Sequence, residues 1–354
     1  MHPEQSGEAN LSSLRRVIVV FGTLALIIVS LLVFKDVVQA FFLYYAAGIV
    51  SLILVILAGY IRRLFPLISH FLALLISVIL ILGFFFLISW TIGPQFASQM
   101  KSLTGSISNG ITTLQNLAKS YPWIQFILDF IKNPQKILPG LVGGIGTIFV
   151  GTFETLSKFL FVLLMGLFLA VNPRLYIDNA VRLFYPHRRP LVKETIDAID
   201  RALRRWLFGR VLAMIVVGIA TTIGLFITGV PLAIALGIIA GLLDFIPFIG
   251  PFISAVPAIL VALAVDPVKV LWVIVVYLGA HLVEDFVGPA IQFGVTAVPP
   301  ALLVSTQIIF TIIGGVLGIL LAEPLTITLI IIVQMFYFKA FLHENVTLMG
   351  EKKR

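Results

Sequence analysis

Long apolar runs alternate along the chain with short basic or polar breaks. A transmembrane helix needs about 20 apolar residues, and five runs reach that length: Val17–Phe34, Val37–Ile61, Pro66–Trp90, Gly146–Val171 and Trp206–Thr228. The first run has no small-residue cleavage site and is followed at once by another, which indicates a retained signal anchor. The remainder is apolar to about residue 341. The pattern predicts an all-α, polytopic integral membrane protein with about eight transmembrane helices.

The composition agrees with a bilayer environment. Of the 354 residues, 60% are hydrophobic and 11% are charged, against about 45–50% and about 25% in soluble domains. No soluble fold could bury that excess, so a soluble enzyme and a disordered chain are both excluded. Cysteine is absent, which excludes thiolate metal sites. No nucleotide-binding or hydrolase motif is present, so we expect no enzymatic activity, no cofactor and no metal centre.

The basic residues predict an orientation. With the N-terminus in the cytoplasm and eight crossings, 18 of the 24 Lys and Arg residues lie inside, including Arg210 and Lys269, and 5 lie outside. Inside loops of membrane proteins carry such an excess, so both termini are expected in the cytoplasm of a bacterial or archaeal cell. The net charge of +8 then indicates topology and contact with anionic lipid, not a nucleic-acid partner.

Two stretches are expected outside the membrane. Gly93–Gly144 is amphipathic, which indicates an external helical cap on the bundle or on a neighbouring subunit, or alternatively a substrate gate. Pro190–Trp206 indicates a cytoplasmic helix that lies in the headgroup plane or braces the bundle. The resulting regions are an N-terminal tail with three helices (1–92), the external region (93–145), a fourth helix (146–171), a basic cytoplasmic region (172–206), a transport core (207–341) and a cytoplasmic tail (342–354).

Two apolar stretches in the second half are too long for one straight crossing. Leu232–Val265 would reach about 50 Å as one helix, against a hydrocarbon core of about 30 Å, and it contains Pro247, Gly250 and Pro251. Ala301–Phe338 is longer still, and a break is expected at Glu323-Pro324. Each stretch is predicted to be a discontinuous helix or a re-entrant hairpin. Paired interruptions of this kind indicate a transporter binding region.

Acidic residues in these stretches are the candidate functional groups, because a carboxylate at membrane depth is costly and rare. Asp244 could accept a proton or cation, or could cap the broken helix. Glu323 could couple transport to an ion, or belong to a satisfied helix break. Glu284 and Asp285, with His281 one turn earlier, form a proton or cation site near the external end of the path, or lie in water at the interface.

Three blocks of the second half carry a family resemblance. They are Leu236–Pro257, then Glu284 with Pro289, Gly294 and Pro299-Pro300, and finally Gly314-Gly315, Gly318 and Ala322-Glu323-Pro324-Leu325. The chain resembles the autoinducer-2 exporter (AI-2E) family of permeases in these blocks. It has Asp285 where the family usually has Asn, Pro299 where a His is frequent, and Glu323 where Ala or Val is frequent.

The resemblance implies an eight-span permease that forms a homo-oligomer. Family activities range from export of a small polar signalling molecule to sodium/proton antiport. We therefore expect ion-coupled export of an autoinducer-2-like solute by alternating access; the alternatives are a Na⁺(Li⁺)/H⁺ antiporter and a non-transporting scaffold or channel. The expected ligand is a small polar solute or a monovalent cation. The expected pathway residues are Asp244, Pro247, Gly250, Pro251, His281, Glu284, Asp285, Pro289, Gly294, Glu323 and Pro324.

Overall fold

The computed structural model describes residues 37–91, 93–120, 125, 153–291 and 298–342. Helices account for almost all of these residues, and the described part contains no β-strand. The helices are α1 (Val37–Leu64), α2 (His70–Thr91), α3 (Gly93–Ser120), α4 (Phe153–Val171), α5 (Pro173–Arg182), α6 (Arg189–Ile227), α7 (Ala233–Leu243), α8 (Ile249–Val265), α9 (Lys269–Ile291) and α10 (Pro300–Val333). The all-α fold class is confirmed. The predicted helix Val17–Phe34 lies outside the described residues.

The described part contains three helical segments long and apolar enough to cross a bilayer: Val37–Leu64, Pro186–Ile227 and Pro300–Lys339. A fourth candidate is the pair Ser157–Val171 and Pro173–Arg182, which is bent by 82°. Large apolar side chains point away from the protein on several helices, as on a surface that faces lipid; examples are Phe71, Ile79, Phe168, Ile219 and Ile312. Length, composition and exposed apolar faces together make this a multi-pass membrane protein.

An N-terminal bundle is formed by α1, α2 and α4. Its shared core contains Leu54, Ala58, Leu74 and Ala170, and His70 Nε2 lies 3.1 Å from the Ala170 carbonyl oxygen. A second core joins α1 to α6 and α10. The N-terminal helices are therefore packed against the C-terminal half, which carries the acidic residues.

The amphipathic helix α3 packs on the C-terminal half of the same chain. A Cβ added at Gly110 would meet the Leu260 carbonyl oxygen of α8 at 2.2 Å, so glycine is what lets the two backbones approach. Gln99 Oε1 accepts a hydrogen bond of 2.9 Å from the Ala235 backbone N–H at the start of α7. Of the roles expected for residues 93–145, contact with the bundle is the one that the structure describes.

The predicted cytoplasmic helix Pro190–Trp206 and the predicted span Trp206–Thr228 are one helix. Helix α6 continues through both for 39 residues, about 58 Å at 1.5 Å per residue. The apolar face of its first half is buried against α1 and α10, with Ala198, Ala202 and Trp206 nearly inaccessible. This half of α6 therefore braces the bundle, which was one of the two expected roles, and does not leave it to lie flat on a membrane surface.

The stretch Leu232–Val265 is broken where the sequence predicts, and it forms a hairpin. Helix α7 ends at Leu243 and α8 begins at Ile249; between them Phe248 has φ +62°, in the left-handed region. A Cβ at Gly250 would meet the Leu243 carbonyl oxygen at 1.9 Å, so the tight reversal requires glycine there. We call α7, α8 and their connection the first hairpin.

The stretch Ala301–Phe338 is also a hairpin, but its turn is not at Glu323-Pro324. Gly315 has non-helical angles, φ 59° and ψ −135°, and Thr326 Oγ1 donates a hydrogen bond of 2.7 Å to Thr306 Oγ1. Those two threonines would be about 30 Å apart in one straight helix. Residues 300–314 and 316–333 of α10 are therefore antiparallel arms, which we call the second hairpin. The helix continues through Pro324, so the predicted position of this break is wrong.

The two hairpins enter the bundle from opposite ends of α6. The first begins directly after Gly229 at the C-terminal end of α6, and Lys269, just after α8, donates a hydrogen bond to the Gly229 carbonyl oxygen. The second ends near the N-terminal end of α6, where Lys339 forms an ion pair with Glu194. The prediction of eight crossings included Leu232–Val265 and Ala301–Phe338 as one crossing each. Each stretch instead folds back as a hairpin and returns to the side from which it entered. Lys269 was expected on the same side of the membrane as the basic N-terminal half of α6, but it lies at the C-terminal end of α6.

Candidate functional site

A buried arginine lies where the two hairpins meet. Arg210 is on α6, four residues into the apolar run that begins at Trp206, and about 25 Å from the C-terminal end of the helix. The residue is 9% exposed. Buried charges require partners, and Arg210 finds them on three separate elements.

Each partner of Arg210 is a carboxylate that the sequence had singled out. Nη2 donates a hydrogen bond of 2.9 Å to Glu323 Oε2 on the second hairpin. Nη1 lies 3.7 Å from Asp244 Oδ2 at the turn of the first hairpin, and 3.8 Å from Glu284 Oε1 on α9. Nη1 also donates a hydrogen bond of 3.0 Å to the Asp244 carbonyl oxygen, which the end of α7 leaves free. One guanidinium thus links both hairpins to α6 and α9.

His281 approaches two of these carboxylates, Asp244 and Glu284, at the oxygens that Arg210 does not contact. Its Nδ1 lies 3.1 Å from Glu284 Oε2 and 4.0 Å from Asp244 Oδ1. Asp244 and Glu284 therefore each direct one oxygen towards Arg210 and the other towards His281. We call Arg210, Asp244, His281, Glu284 and Glu323 the Arg210 cluster.

The Arg210 cluster carries more negative than positive charge. Three ionised carboxylates against one arginine leave a net charge of −2 when His281 is neutral. The Asp244 side chain is 3% exposed and the other two carboxylates are 15–21% exposed, so little water screens them. Asp244 Oδ2 has no hydrogen-bond partner among the described residues. Such a group is stabilised by added positive charge, supplied as protons or as a bound cation.

A second contact joins the hairpins directly. Gln307, on the first arm of the second hairpin, is fully buried, and its Nε2 donates a hydrogen bond of 2.9 Å to the Pro247 carbonyl oxygen in the turn of the first hairpin. A proline at position 247 cannot continue the hydrogen-bond ladder of a helix, and the interruption leaves backbone carbonyls that need other donors. Gln307 satisfies one of them.

The structure brings together four of the eleven residues expected on the pathway: Asp244, His281, Glu284 and Glu323. Pro247 lies in the turn beside them, Gly250 and Pro251 lie in the first turn of α8, and Pro324 follows Glu323 within the second hairpin. The backbone of α9 continues through Asp285 and Pro289, but their side chains and all of Gly294 lie outside the described residues. Helix α9 starts near the C-terminal end of α6 and runs antiparallel to it. Glu284 therefore lies beside Arg210 in the middle of α6, away from the C-terminal end where the first hairpin enters.

Arg210 and Gln307 are the members of the site that the sequence analysis did not propose. Arg210 was counted only as a topology signal near a predicted membrane boundary. Its position inside an apolar run, opposite an excess of intramembrane acids, is the signal that could have identified it. Gln307 gave no comparable signal, because a single amide in an apolar helix has many structural roles.

Two hairpins that meet at a buried charge cluster, within a multi-pass helical bundle, are typical of a secondary transporter. The chain matches the model of the AI-2E family transporter over residues 18–338, and it therefore belongs to that family of permeases.

Proteins similar to this chain are named as putative transport proteins or permeases. The chain is 27% identical to the putative transport protein YueF of Bacillus subtilis over 86% of this chain and 89% of the relative. It is 26% identical to a putative transport protein of Thermotoga maritima over 58% of this chain and 64% of the relative. It is 23% identical to the putative permease PerM of Escherichia coli over 49% and 50% of the two chains.

Proposed function

We propose that this permease exports a small polar solute of the autoinducer-2 type by alternating access, and that a cation or protons bound at the Arg210 cluster drive the change of access. The observation that carries this proposal is the net negative, poorly hydrated cluster shared by two hairpins that enter from opposite ends. A scaffold or a simple channel has no need for such a group.

The mechanism follows from the contacts of Arg210. While its guanidinium is shared among Asp244, Glu284 and Glu323, both hairpins are held against α6 and the path is closed. A cation or proton that binds Asp244 weakens the attraction between Arg210 and the first hairpin, and one that binds Glu284 weakens the attraction between Arg210 and α9. One that neutralises Glu323 weakens the contact to the second hairpin. Occupancy of different carboxylates therefore favours opening towards different ends, which is what alternating access requires.

A second candidate, Na⁺(Li⁺)/H⁺ antiport without an organic solute, is favoured by the number of carboxylates. Protons and monovalent cations could occupy the same oxygens in turn, and the described part of the cluster needs two positive charges for neutrality. Glu323 strengthens this candidate, because it adds an acid at the point of contact with Arg210.

The test is flux in proteoliposomes that contain the purified full-length protein and an internal pH-sensitive dye. Two substrates are compared: a Na⁺ pulse alone, and autoinducer-2 supplied with and without a cation gradient. The variants are Glu323→Gln and Asp244→Asn, and the matched control is Glu194→Gln, an exposed carboxylate at the N-terminal end of α6.

We expect gradient-dependent, saturable autoinducer-2 flux that falls at least tenfold in Glu323→Gln and Asp244→Asn and is unchanged in Glu194→Gln. A pH change after Na⁺ alone, with no solute flux, establishes the antiport candidate in its place. Normal flux in both cluster variants, or no flux of either kind from the folded wild-type protein, contradicts coupling at this site.

A further inference from the structure

We propose that the Arg210 cluster holds a binding site for a divalent transition-metal ion, formed by His281 Nδ1 and one carboxylate oxygen each from Asp244 and Glu284. This proposal rests on the proposed cation coupling and names the class of the ion. The three ligand atoms lie within 4.8 Å of one another, and they come from the turn of the first hairpin and from α9.

The division of oxygens between Arg210 and His281 leaves the right atoms available. Arg210 approaches Asp244 Oδ2 and Glu284 Oε1, whereas His281 approaches Asp244 Oδ1 and Glu284 Oε2. The oxygens that face the imidazole are thus the ones that Arg210 does not contact. The guanidinium holds the two carboxylates in place from behind, which is the usual task of groups that surround a metal's ligands.

The distances require only a small adjustment. Metal–ligand bonds of about 2.0–2.2 Å place neighbouring ligand atoms about 3.0–3.5 Å apart. The pair His281 Nδ1 and Glu284 Oε2 is already at 3.1 Å, and the pair of His281 Nδ1 and Asp244 Oδ1, at 4.0 Å, needs to close by less than about 1 Å. The Asp244 and Glu284 oxygens lie within 4.8 Å of each other and need to close by less than about 2 Å. Two of the ligands are one turn apart on α9, so only the turn of the first hairpin has to move.

Hydrogen bonding within α9 does not by itself explain the group. A contact between His281 and Glu284, three residues apart on one helix, could be purely local. It gives no reason for Asp244, a residue of another element that is 2% exposed, to direct Oδ1 at the same imidazole. At 4.0 Å, Asp244 Oδ1 and His281 Nδ1 are too far apart to form a hydrogen bond, and an ion bound by both atoms accounts for their convergence.

Charge and ligand type select the ion. The cluster lacks two positive charges when His281 is neutral, the form in which imidazole binds a metal, and one divalent ion supplies both. A nitrogen ligand disfavours Na⁺, Mg²⁺ and Ca²⁺, which prefer oxygen, and favours ions from Mn²⁺ to Zn²⁺. Three protein ligands leave a position open to water, so the ion can enter and leave, as a coupling ion or cargo must.

The experiment is a titration of chelator-stripped, full-length protein, purified without a histidine tag, with Co²⁺, followed by the visible absorption that Co²⁺ gains on binding nitrogen and oxygen ligands. The variants are His281→Ala, with His281→Gln as a second and more conservative change, and Glu284→Gln. The matched controls are His187→Ala and Glu194→Gln, which alter an exposed histidine and an exposed carboxylate outside the Arg210 cluster.

We expect saturable binding of one Co²⁺ per chain, displaced by Zn²⁺ and not by a hundredfold excess of Na⁺. Binding should weaken at least about 100-fold in either His281 variant and remain unchanged in both controls. Absence of saturable binding by the wild-type protein, displacement by Na⁺, or unchanged affinity in folded His281→Gln overturns the metal site.

The two proposals fail separately. If Co²⁺ does not bind but the flux described above depends on Asp244 and Glu323, the metal site is wrong and cation-coupled transport stands. If Co²⁺ binds through His281 but no flux is found, the metal site stands and transport coupling is wrong.

Discussion

Replacement of Arg210 by glutamine tests whether the stability of the cluster depends on the guanidinium that its three carboxylates share. The substitution removes a hydrogen bond of 2.9 Å to Glu323 and a hydrogen bond of 3.0 Å to the Asp244 carbonyl oxygen. It also leaves three carboxylates without a permanent counter-charge. Removal of one partner of a buried ion pair costs about 3–5 kcal/mol, and we expect Arg210→Gln to lower the free energy of unfolding by that amount.

The double-mutant cycle with Glu323→Gln separates the pair from its surroundings. In Glu323→Gln the amide oxygen can still accept from Arg210, so the expected cost is about 1–2 kcal/mol. In the double variant neither charge of the pair is left alone, and the loss should fall short of the sum of the single losses by about 2 kcal/mol. The exposed pair Arg204–Asp200 on the same helix, at 2.7 Å, is the control, with an expected coupling of about 0.3–0.5 kcal/mol.

The measurement is the free energy of unfolding in mixed detergent–SDS micelles, with retention of the folded, monodisperse fraction as a check on each variant. The reasoning is refuted if the coupling between Arg210 and Glu323 does not exceed that between Arg204 and Asp200. Such a result would show that the buried contact is no stronger than an exposed one, and that Arg210 does not hold the second hairpin.

Further predictions concern the hairpins themselves. A Cβ at Gly318 would meet the Phe310 carbonyl oxygen at 1.8 Å, so Gly318→Ala should force the arms of the second hairpin apart and lower both thermal stability and flux. Gly279 has open space around it, so the control Gly279→Ala should leave both unchanged. Equal melting temperatures for the two variants would contradict the hairpin. Gln307→Leu should strand the Pro247 carbonyl oxygen and cost about 1–3 kcal/mol in the same unfolding assay; a neutral effect would show that the amide does not link the hairpins.

The sequence was sufficient for the features that depend on local chemistry. Pro247 and Gly250 follow Asp244 closely, where α7 ends and α8 begins, so the break in the first stretch was predicted correctly. Intramembrane acids are rare enough that Asp244, Glu284 and Glu323 could each be identified in isolation. What could not be predicted was that three acids from distant parts of the chain meet one guanidinium, because that depends on how α6, α9 and the hairpins pack.

The position of the second break illustrates the same limit. Pro324 is the conspicuous helix breaker, yet a proline only removes one donor and can be accommodated within a helix when other groups compensate. The adjacent glycines 314 and 315 carry less obvious signal, but only a residue without a side chain readily combines φ +59° with ψ −135°, the angles of Gly315 where the chain reverses. A straight helix and a helical hairpin of the same sequence have the same hydropathy, so the apolar pattern does not show where the chain turns back.

The hydrogen bond between Gln307 and Pro247 has a consequence for leakage. Because it joins a hairpin rooted at one end of α6 to a hairpin rooted at the other, withdrawal of either hairpin breaks the same bond. In the proposed transport cycle, the turn of one hairpin and the adjoining arm of the other would thus form a seal against both aqueous compartments at once. If both hairpins withdrew together, solutes could pass down their gradients without any exchange of ions. Under the proposed mechanism, the stability of this contact would therefore set how tightly movement of the solute is tied to movement of the ion.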